Sequence, residues 1–533
     1  MSKPTTIKDI DIKGRDVMIR AGLETPLDDS KDFRDPDRVT IPLRIEEFMP
    51  TLTYVLEQNP NKVIILGGWC GRPEGIDPKF SMAGTAKRLE QMLVEAGFDS
   101  YKIKFTPDCF EDGKPKSVYE NKEIVQKAVA DLRPKEILFL ETERYDPGAA
   151  TNNQAIAKFY ASLVGKGGVY VSEAPPQAHR PTSTIIGAPI EIANNGGDVV
   201  YGIQYANVLR DMGGLRDRIK DRRKGYFVLA LCGVKMETGP GITSKVTVAI
   251  DLMDQMRKGD YVITGGAVTY AFLLAQHYSS TIEGKINSVD KIIERYEQRM
   301  ETETTDMGGK ERKKHIAQLQ QQESQELENL LGINAEGIKK LIGESYIEKG
   351  QVGEQIVSAY KFMVKAKKKG IEVITAYDHT ITDTQMKKDH TLPDEAKIKL
   401  HGSAMEIPKG WRGVGLGDKT LTKIAGIIEN AEIYLQSGPY SIEDLRVEEF
   451  SKTDERIFQA VRKCKENGGT TIGAGGDTTG RIYEVCKRLN WKVEDIFTTA
   501  ASAGGATLEL IRDGYSNASK AVEEAQLLKG NNI

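Results

Sequence analysis

The sequence predicts an α/β protein of two doubly wound, Rossmann-like domains with parallel sheets, facing one another across a cleft. Short β-prone runs alternate with helical patterns along most of the 533 residues, a grammar that asks for parallel strands joined by right-handed crossovers. Glycine-rich loops follow several of these runs, most plainly at Gly468–Gly480 and again at Ala501–Leu510. Arginines recur just past the strand-like runs, at the carboxyl ends where a doubly wound sheet forms its ligand crevice.

In chain order, strands are expected at Asp16–Ala21, Lys62–Leu66, Lys102–Thr106, Glu136–Leu140 and Val169–Ser172. Helices are expected from about Arg44 to Glu57, about Met82 to Gly97, near Ser117–Leu132 and at Asn153–Leu163. Val199–Met212 reads as a helix joining two halves. A second series follows, with strands at Tyr226–Cys232, Tyr261–Thr264, Ile371–Ala376, Ala431–Leu435 and Thr470–Ile472, and a helix from Lys245 to Met256. Between them, Ser280–Lys340 is rich in Gln, Glu and Lys, with apolar residues at helical spacing (Ile292, Ile293, Tyr296, Met300; Ile316, Leu319, Leu327, Leu330) and a turn near Thr302–Gly309. That pattern reads as a helical hairpin or short coiled-coil arm, the alternative being a solvated excursion.

Arg72, Arg144 and Arg180 each lie just beyond a predicted strand, and Arg44 opens the helix after the first. Together they predict an anionic ligand, since the planar guanidinium fork suits phosphate and carboxylate. In Gly475-Gly476-Asp477-Thr478 a glycine turn leads into a helix. Its backbone N–H groups can approach a phosphate, and Asp477 stands beside them as an acidic ligand for Mg²⁺.

The net charge of −3 offers no basic footprint for nucleic acid. No apolar run of roughly eighteen residues and no signal-peptide core is present. The five cysteines (Cys70, Cys109, Cys232, Cys464, Cys486) are scattered without metal-ligand spacing, which fits a reducing, cytoplasmic location.

Taken together, these residues resemble the phosphoglycerate kinase family. The segment Arg44-Ile45 to Pro50-Thr51-Leu52 is similar to the one carrying that family's catalytic arginine. Gly71-Arg72-Pro73, Leu140-Glu141 with Arg144-Tyr145, and Ala178-His179-Arg180 resemble its other substrate arginines. Gly233-Val234-Lys235, then Lys245 beyond a Gly239-Pro240-Gly241 insertion, resemble its two lysines. Ile407-Pro408, Gly410-Trp411, Ser437-Gly438-Pro439, Gly475-Gly476-Asp477-Thr478 and Gly504-Gly505-Ala506-Thr507-Leu508-Glu509 follow in family order.

The resemblance implies reversible phosphoryl transfer between 1,3-bisphosphoglycerate and ADP, giving 3-phosphoglycerate and ATP with Mg²⁺. Arg44, Lys235, Lys245 and the loop at Gly504 and Gly505 would be catalytic. Gly22, Glu24, Arg44, Trp69, Arg72, Arg144 and Arg180 would meet the acceptor. Gly233, Lys235, Lys245, Gly265, Gly266, Gly438, Pro439, Asp444, Gly475, Gly476, Asp477 and Thr478 would meet the nucleotide, Asp477 through the metal. The implied organisation is an acceptor domain at 1–198, a linker helix at 199–213, a nucleotide domain at 214–510 carrying the 280–340 insertion, and a 511–533 tail returning to the first domain. Domain closure about the linker would bring the two ligands together.

The chain departs from the family pattern in the acceptor pocket. Gly22 and Glu24 stand where the family has Asp and Asn, Trp69 where it has a histidine, Ser437 for an Asn, and Asp444 for a ribose-binding Glu. The phosphate-binding cations persist while the groups fitting the rest of 3-phosphoglycerate do not. A second reading follows, a catalytically weak or silent relative acting as an assembly subunit that docks a protein partner through 280–340, an arm without which the core would still close.

Overall fold

The computed structural model describes residues 4–530 apart from 223, 235–244, 306, 308, 349, 386–391, 394, 442–447 and 502–509. The chain divides into two units, Met1–Gly214 with Glu509–Ile533, and Leu215–Leu508.

In the first unit, Val-Met-Ile-Arg-Ala, Val-Ile-Ile-Leu and Ile-Leu-Phe-Leu are buried along their whole length, as strands covered on both faces must be. They form β1 (Asp16–Ala21), β2 (Lys62–Leu66) and β4 (Glu136–Leu140), joined by β3 (Lys102–Phe105), β5 (Val169–Glu173) and β6 (Asp198–Tyr201). All pair in parallel in the order β3-β4-β2-β1-β5-β6. Ile19 sits beside Ile65 on one side and Val171 on the other. Helices Leu43–Glu57 and Ala83–Glu95 cover these strands through Phe48, Leu52 and Leu89. Strand order reverses between β1 and β5, so the loops after β1, β2, β4 and β5 share one edge at a topological switch point.

The expected helix over Val199–Met212 divides in two. Val199, Val200 and Tyr201 join the sheet as β6, and the helix runs Ile203–Gly213 after Gly202. β-branched residues beside an open strand are better placed in a ladder than in a helix. Glu173 then accepts the Gln204 and Tyr205 N–H groups (3.0 and 2.9 Å), starting the helix from the end of β5.

The second unit is built on β7 (Phe227–Leu231), β8 (Tyr261–Thr264), β9 (Glu372–Ile374), β13 (Ile433–Ser437), β14 (Thr470–Ala474) and β15 (Thr499–Ala501), parallel in the order β15-β14-β13-β7-β8-β9. Its switch point lies between β7 and β13. A three-stranded antiparallel sheet, β11-β10-β12, comes from β10 (His379–Thr382), β11 (Ile398–His401) and β12 (Arg412–Leu416). Sequence reading missed it because its strands are four or five residues long, too short to show alternation against their Thr, His and Gly content.

The insertion is a helical hairpin, Ile286–Thr304 and Gly309–Leu331. Val289, Ile292, Tyr296 and Met300 are buried on the first helix, and Leu319, Leu327 and Leu331 on the second. It is no solvated excursion. Ser324 Oγ accepts the Gly353 N–H (2.9 Å), and Lys361 pairs with Asp290 at 2.7 Å, which binds the hairpin to the Val352–Lys369 helix.

Candidate active site

In the first unit, the loops at the carboxyl edge gather the acceptor candidates. Trp69, 5% exposed, follows β2, and its indole is a platform for two cations. The Arg144 guanidinium lies 3.4 Å from the ring centroid and that of Arg180 5.4 Å, both within cation–π range. Burial pulls the Arg144 pKa below its usual value, with Arg180 and then Arg72 adding like-charge repulsion while Glu24 opposes. A half-desolvated cluster of cations is stabilised by an anion, which is the physical case for a phosphate here.

Arg44 completes the edge from the start of its helix. Its Nη1 donates to the Glu24 carbonyl (2.6 Å) and lies 3.6 Å from the Glu24 carboxylate. The Gly71 N–H donates to the other carboxylate oxygen (3.2 Å). Gly22 is buried against the β5 loop, where an added Cβ would meet Pro176 Cδ at 3.1 Å. Arg72 is exposed. The structure therefore brings Gly22, Glu24, Arg44, Trp69, Arg72, Arg144 and Arg180 to one edge.

Beneath them is a buried network that sequence reading passed over. Arg20, fully buried in β1, pairs with Glu143 at 2.7 Å and donates to Gln177 Oε1 (2.7 Å), which also accepts the Trp69 N–H (3.4 Å). One guanidinium thus ties together the loops after β2, β4 and β5. A charged residue in an otherwise apolar strand was the available signal, because burial of an ion demands partners. The β5 loop is also held from the chain's far end. Asn517 Nδ2 donates to the His179 carbonyl (2.7 Å) and the Ala518 N–H to that of Ala178 (2.9 Å). Burial holds the His179 pKa down to about 4, with Arg180 adding to the shift, so the ring is neutral near pH 7.

In the second unit, Gly233, Gly265, Gly266, Gly438, Pro439 and Gly475–Thr478 follow the neighbouring strands β7, β8, β13 and β14. Several of these glycines serve close packing of loop on loop. Gly438 has φ +98°, and a Cβ there would stand 2.0 Å from the Cys232 carbonyl oxygen. The Gly266 N–H is taken by the Tyr440 carbonyl (2.8 Å), and the Gly438 N–H by Thr478 Oγ1 (2.7 Å). Thr478 is buried and braces the β13 loop.

The turn at Gly475 is different. Its φ of +109° turns the chain into the Gly476–Leu489 helix, whose start has no side-chain cap among the described residues, and Asp477 is exposed on the first turn. Uncapped N–H groups at a helix start are an anion site. A single exposed carboxylate beside a phosphate cradle fits Mg²⁺, which takes one or two carboxylates and fills its shell with phosphate oxygens and water. Lys235, Asp444, Gly504 and Gly505 lie outside the described residues, as does the side chain of Lys245, whose backbone opens the Lys245–Leu252 helix.

Two doubly wound six-stranded sheets, one edged by guanidiniums and the other by a glycine turn into a helix, define an α/β protein of two sheet-built units. The chain belongs to the phosphoglycerate kinase family, whose profile matches residues 7–327 and 333–513. It is 25% identical over 509 residues to the phosphoglycerate kinase of Fervidobacterium nodosum, covering 95% of each chain, and 25% identical over 523 residues to that of Candida glabrata, covering 96% of each. The phosphoglycerate kinase structures from Coxiella burnetii and Pyrococcus horikoshii are similar in fold, each with a TM-score of 0.61 over 98% of this chain and 99% of theirs, at 20% and 15% identity. Among the described residues no helix is long and apolar enough to cross a membrane.

Proposed function

We propose that this chain is a phosphotransferase of phosphoglycerate kinase type, moving a phosphoryl group reversibly between 1,3-bisphosphoglycerate and ADP in the cytoplasm, with an altered acceptor pocket. The observation that carries this reading is the gathering of Arg44, Arg72, Arg144 and Arg180 at one sheet edge. Arg72, Arg144 and Arg180 would clamp the acceptor's phosphate, with Arg144 and Arg180 stacked on the Trp69 platform above the Arg20 network. Arg44, with Lys235, Lys245 and the N–H groups at Gly504 and Gly505, would face the transferring group, whose charge spreads over three equatorial oxygens. Gly475–Thr478, with Gly233, Gly265, Gly266, Gly438, Pro439 and Asp444, would receive the nucleotide. Asp477 would hold Mg²⁺, which supplies charge neutralisation on the nucleotide phosphates. The domain reading, with acceptor in the first unit and nucleotide in the second, follows from the same assignment.

A coupled assay of the purified chain with 1,3-bisphosphoglycerate and Mg-ADP tests this. ATP formation that disappears in Arg44→Ala supports it, and no turnover at high enzyme concentration refutes it. The Glu24–Arg44 pair and the bulk of Trp69 favour the second reading, a silent relative acting in an assembly. That reading requires no turnover together with a protein partner that is lost when the hairpin surface is changed.

A further inference from the structure

Four guanidiniums face the carboxyl edge of the first unit, and the Glu24 carboxylate stands among them beside Arg44. Glu24 approaches Arg44 Nη1 at 3.6 Å while the Gly71 N–H holds its other oxygen at 3.2 Å. The neighbouring acids are committed elsewhere. Glu141 is buried and accepts the Met82 N–H (2.9 Å) and the Ser81 hydroxyl (2.7 Å), and Glu143 is buried against Arg20. The Glu24 side chain is 41% exposed, against 21% for Arg44, so it lies where a ligand on Arg44 would lie.

We infer that Glu24 is the resident counter-ion of the arginine pocket and the residue that sets its specificity, admitting a phosphate at Arg72, Arg144 and Arg180 while disfavouring a carboxylate beside Arg44. Two features make this local. The Trp69 platform holds Arg144 and Arg180 by stacking, a contact in which Glu24 takes no part, so the phosphate locus survives its presence. At Arg44 an incoming carboxylate competes with Glu24 for the same guanidinium and meets a like charge at contact distance. A partly exposed ion pair 3.6 Å apart is weak enough to exchange, so Glu24 biases the pocket without sealing it. The inference rests on the acceptor-pocket reading of this edge but not on turnover.

The test is calorimetric binding to the full chain of two probes, glycerol 3-phosphate, which carries only the phosphate, and 3-phosphoglycerate, which adds the carboxylate. In the wild-type chain 3-phosphoglycerate binds no better than glycerol 3-phosphate. In Glu24→Gln, whose amide oxygen still accepts the Gly71 N–H, 3-phosphoglycerate gains roughly tenfold and glycerol 3-phosphate less than about threefold. Glu24→Asn shows the same selective gain, guarding against an effect peculiar to one side chain. Equal gains for both probes would reduce Glu24 to a diffuse charge and overturn the inference, as would no gain in either variant. Wild-type binding of glycerol 3-phosphate with no selective shift sinks the inference alone. Failure of every chain to bind either probe sinks the pocket reading with it.

Discussion

At the scale of single residues, the acceptor edge works through planar contacts that few side chains can reproduce. The Arg144 guanidinium sits over the Trp69 ring, 3.4 Å from its centroid, with its Nε buried and without a hydrogen-bond partner among the described residues. Lysine cannot stack in this way, and its charge is a compact point. Arg144→Lys should therefore weaken glycerol 3-phosphate binding by about 10- to 30-fold, the equivalent of about 1.5–2 kcal/mol for a desolvated cation–π contact and a lost fork. Unchanged affinity by calorimetry would show that the stack does not organise the cluster. In the second unit, Asp477→Ala should weaken Mg-ADP at least tenfold while leaving Mg-free ADP nearly unaffected, because the carboxylate acts through the metal. Equal weakening in both titrations would assign Asp477 to the helix start and not to Mg²⁺.

At the scale of elements, the hairpin is part of the second unit's packing. Ser324 from the hairpin accepts the first N–H groups of the Val352–Lys369 helix, from Gly353 (2.9 Å) and Glu354 (3.5 Å), a cap delivered across an interface. Ser324→Ala should cost about 1 kcal/mol, the usual worth of an N-cap. Deleting the hairpin should cost more than the few degrees that a purely peripheral arm would lose.

Two buried carboxylates meet at the same interface. Burial, with Glu297 adding to it, pushes Glu323 up to about 7, while Lys361 opposes. Burial, then Glu323 and Glu348, pushes Glu354 up to about 8. A carboxyl whose pKa is raised on folding binds its proton more tightly in the folded chain. Its stabilisation is complete below the ordinary carboxylate range and is lost as pH rises through 7 and 8. The second unit's melting temperature should fall as pH rises from about 4.5 to about 8 and level off above that, and Glu354→Gln should flatten that slope. An identical slope in the variant would place the titration elsewhere.

At the scale of the molecule, the last helix belongs to the first unit although most of the chain separates them in sequence. Asn517–Gly530 buries Ala518, Ala521, Val522 and Ala525, and the Tyr205 hydroxyl meets Ser516 Oγ at 2.6 Å. Truncation before residue 515 removes apolar burial worth about 4 kcal/mol and frees the loop that carries Arg180. The expected result is a markedly lower first-unit melting temperature together with loss of glycerol 3-phosphate binding. Full affinity in a folded truncated chain would show that the loop is held without its C-terminal anchors.

What could be read along the chain was whatever depends on neighbours in sequence. Apolar runs at Asp16–Ala21, Lys62–Leu66, Glu136–Leu140 and Tyr261–Thr264 coincide with strands residue for residue, since a strand buried on both faces needs an unbroken apolar stretch. Glycine turns and arginines past strand ends were visible for the same reason, and their order along the chain was enough to place it in its family. The rest depended on distance in space. The β6 strand at Val199 needed β5 beside it, and the small antiparallel sheet needed partners that local alternation does not announce. Arg20 reads as an oddity until Gln177 and Glu143 close around it. Glu24 and Arg44 are separated by twenty positions, and Trp69, Arg144 and Arg180 by many more, so the ion pair and the two-cation stack exist only once parallel strands bring their carboxyl ends to one edge. Charge and stacking act through space over a few ångströms, and that distance is a property of the folded sheet.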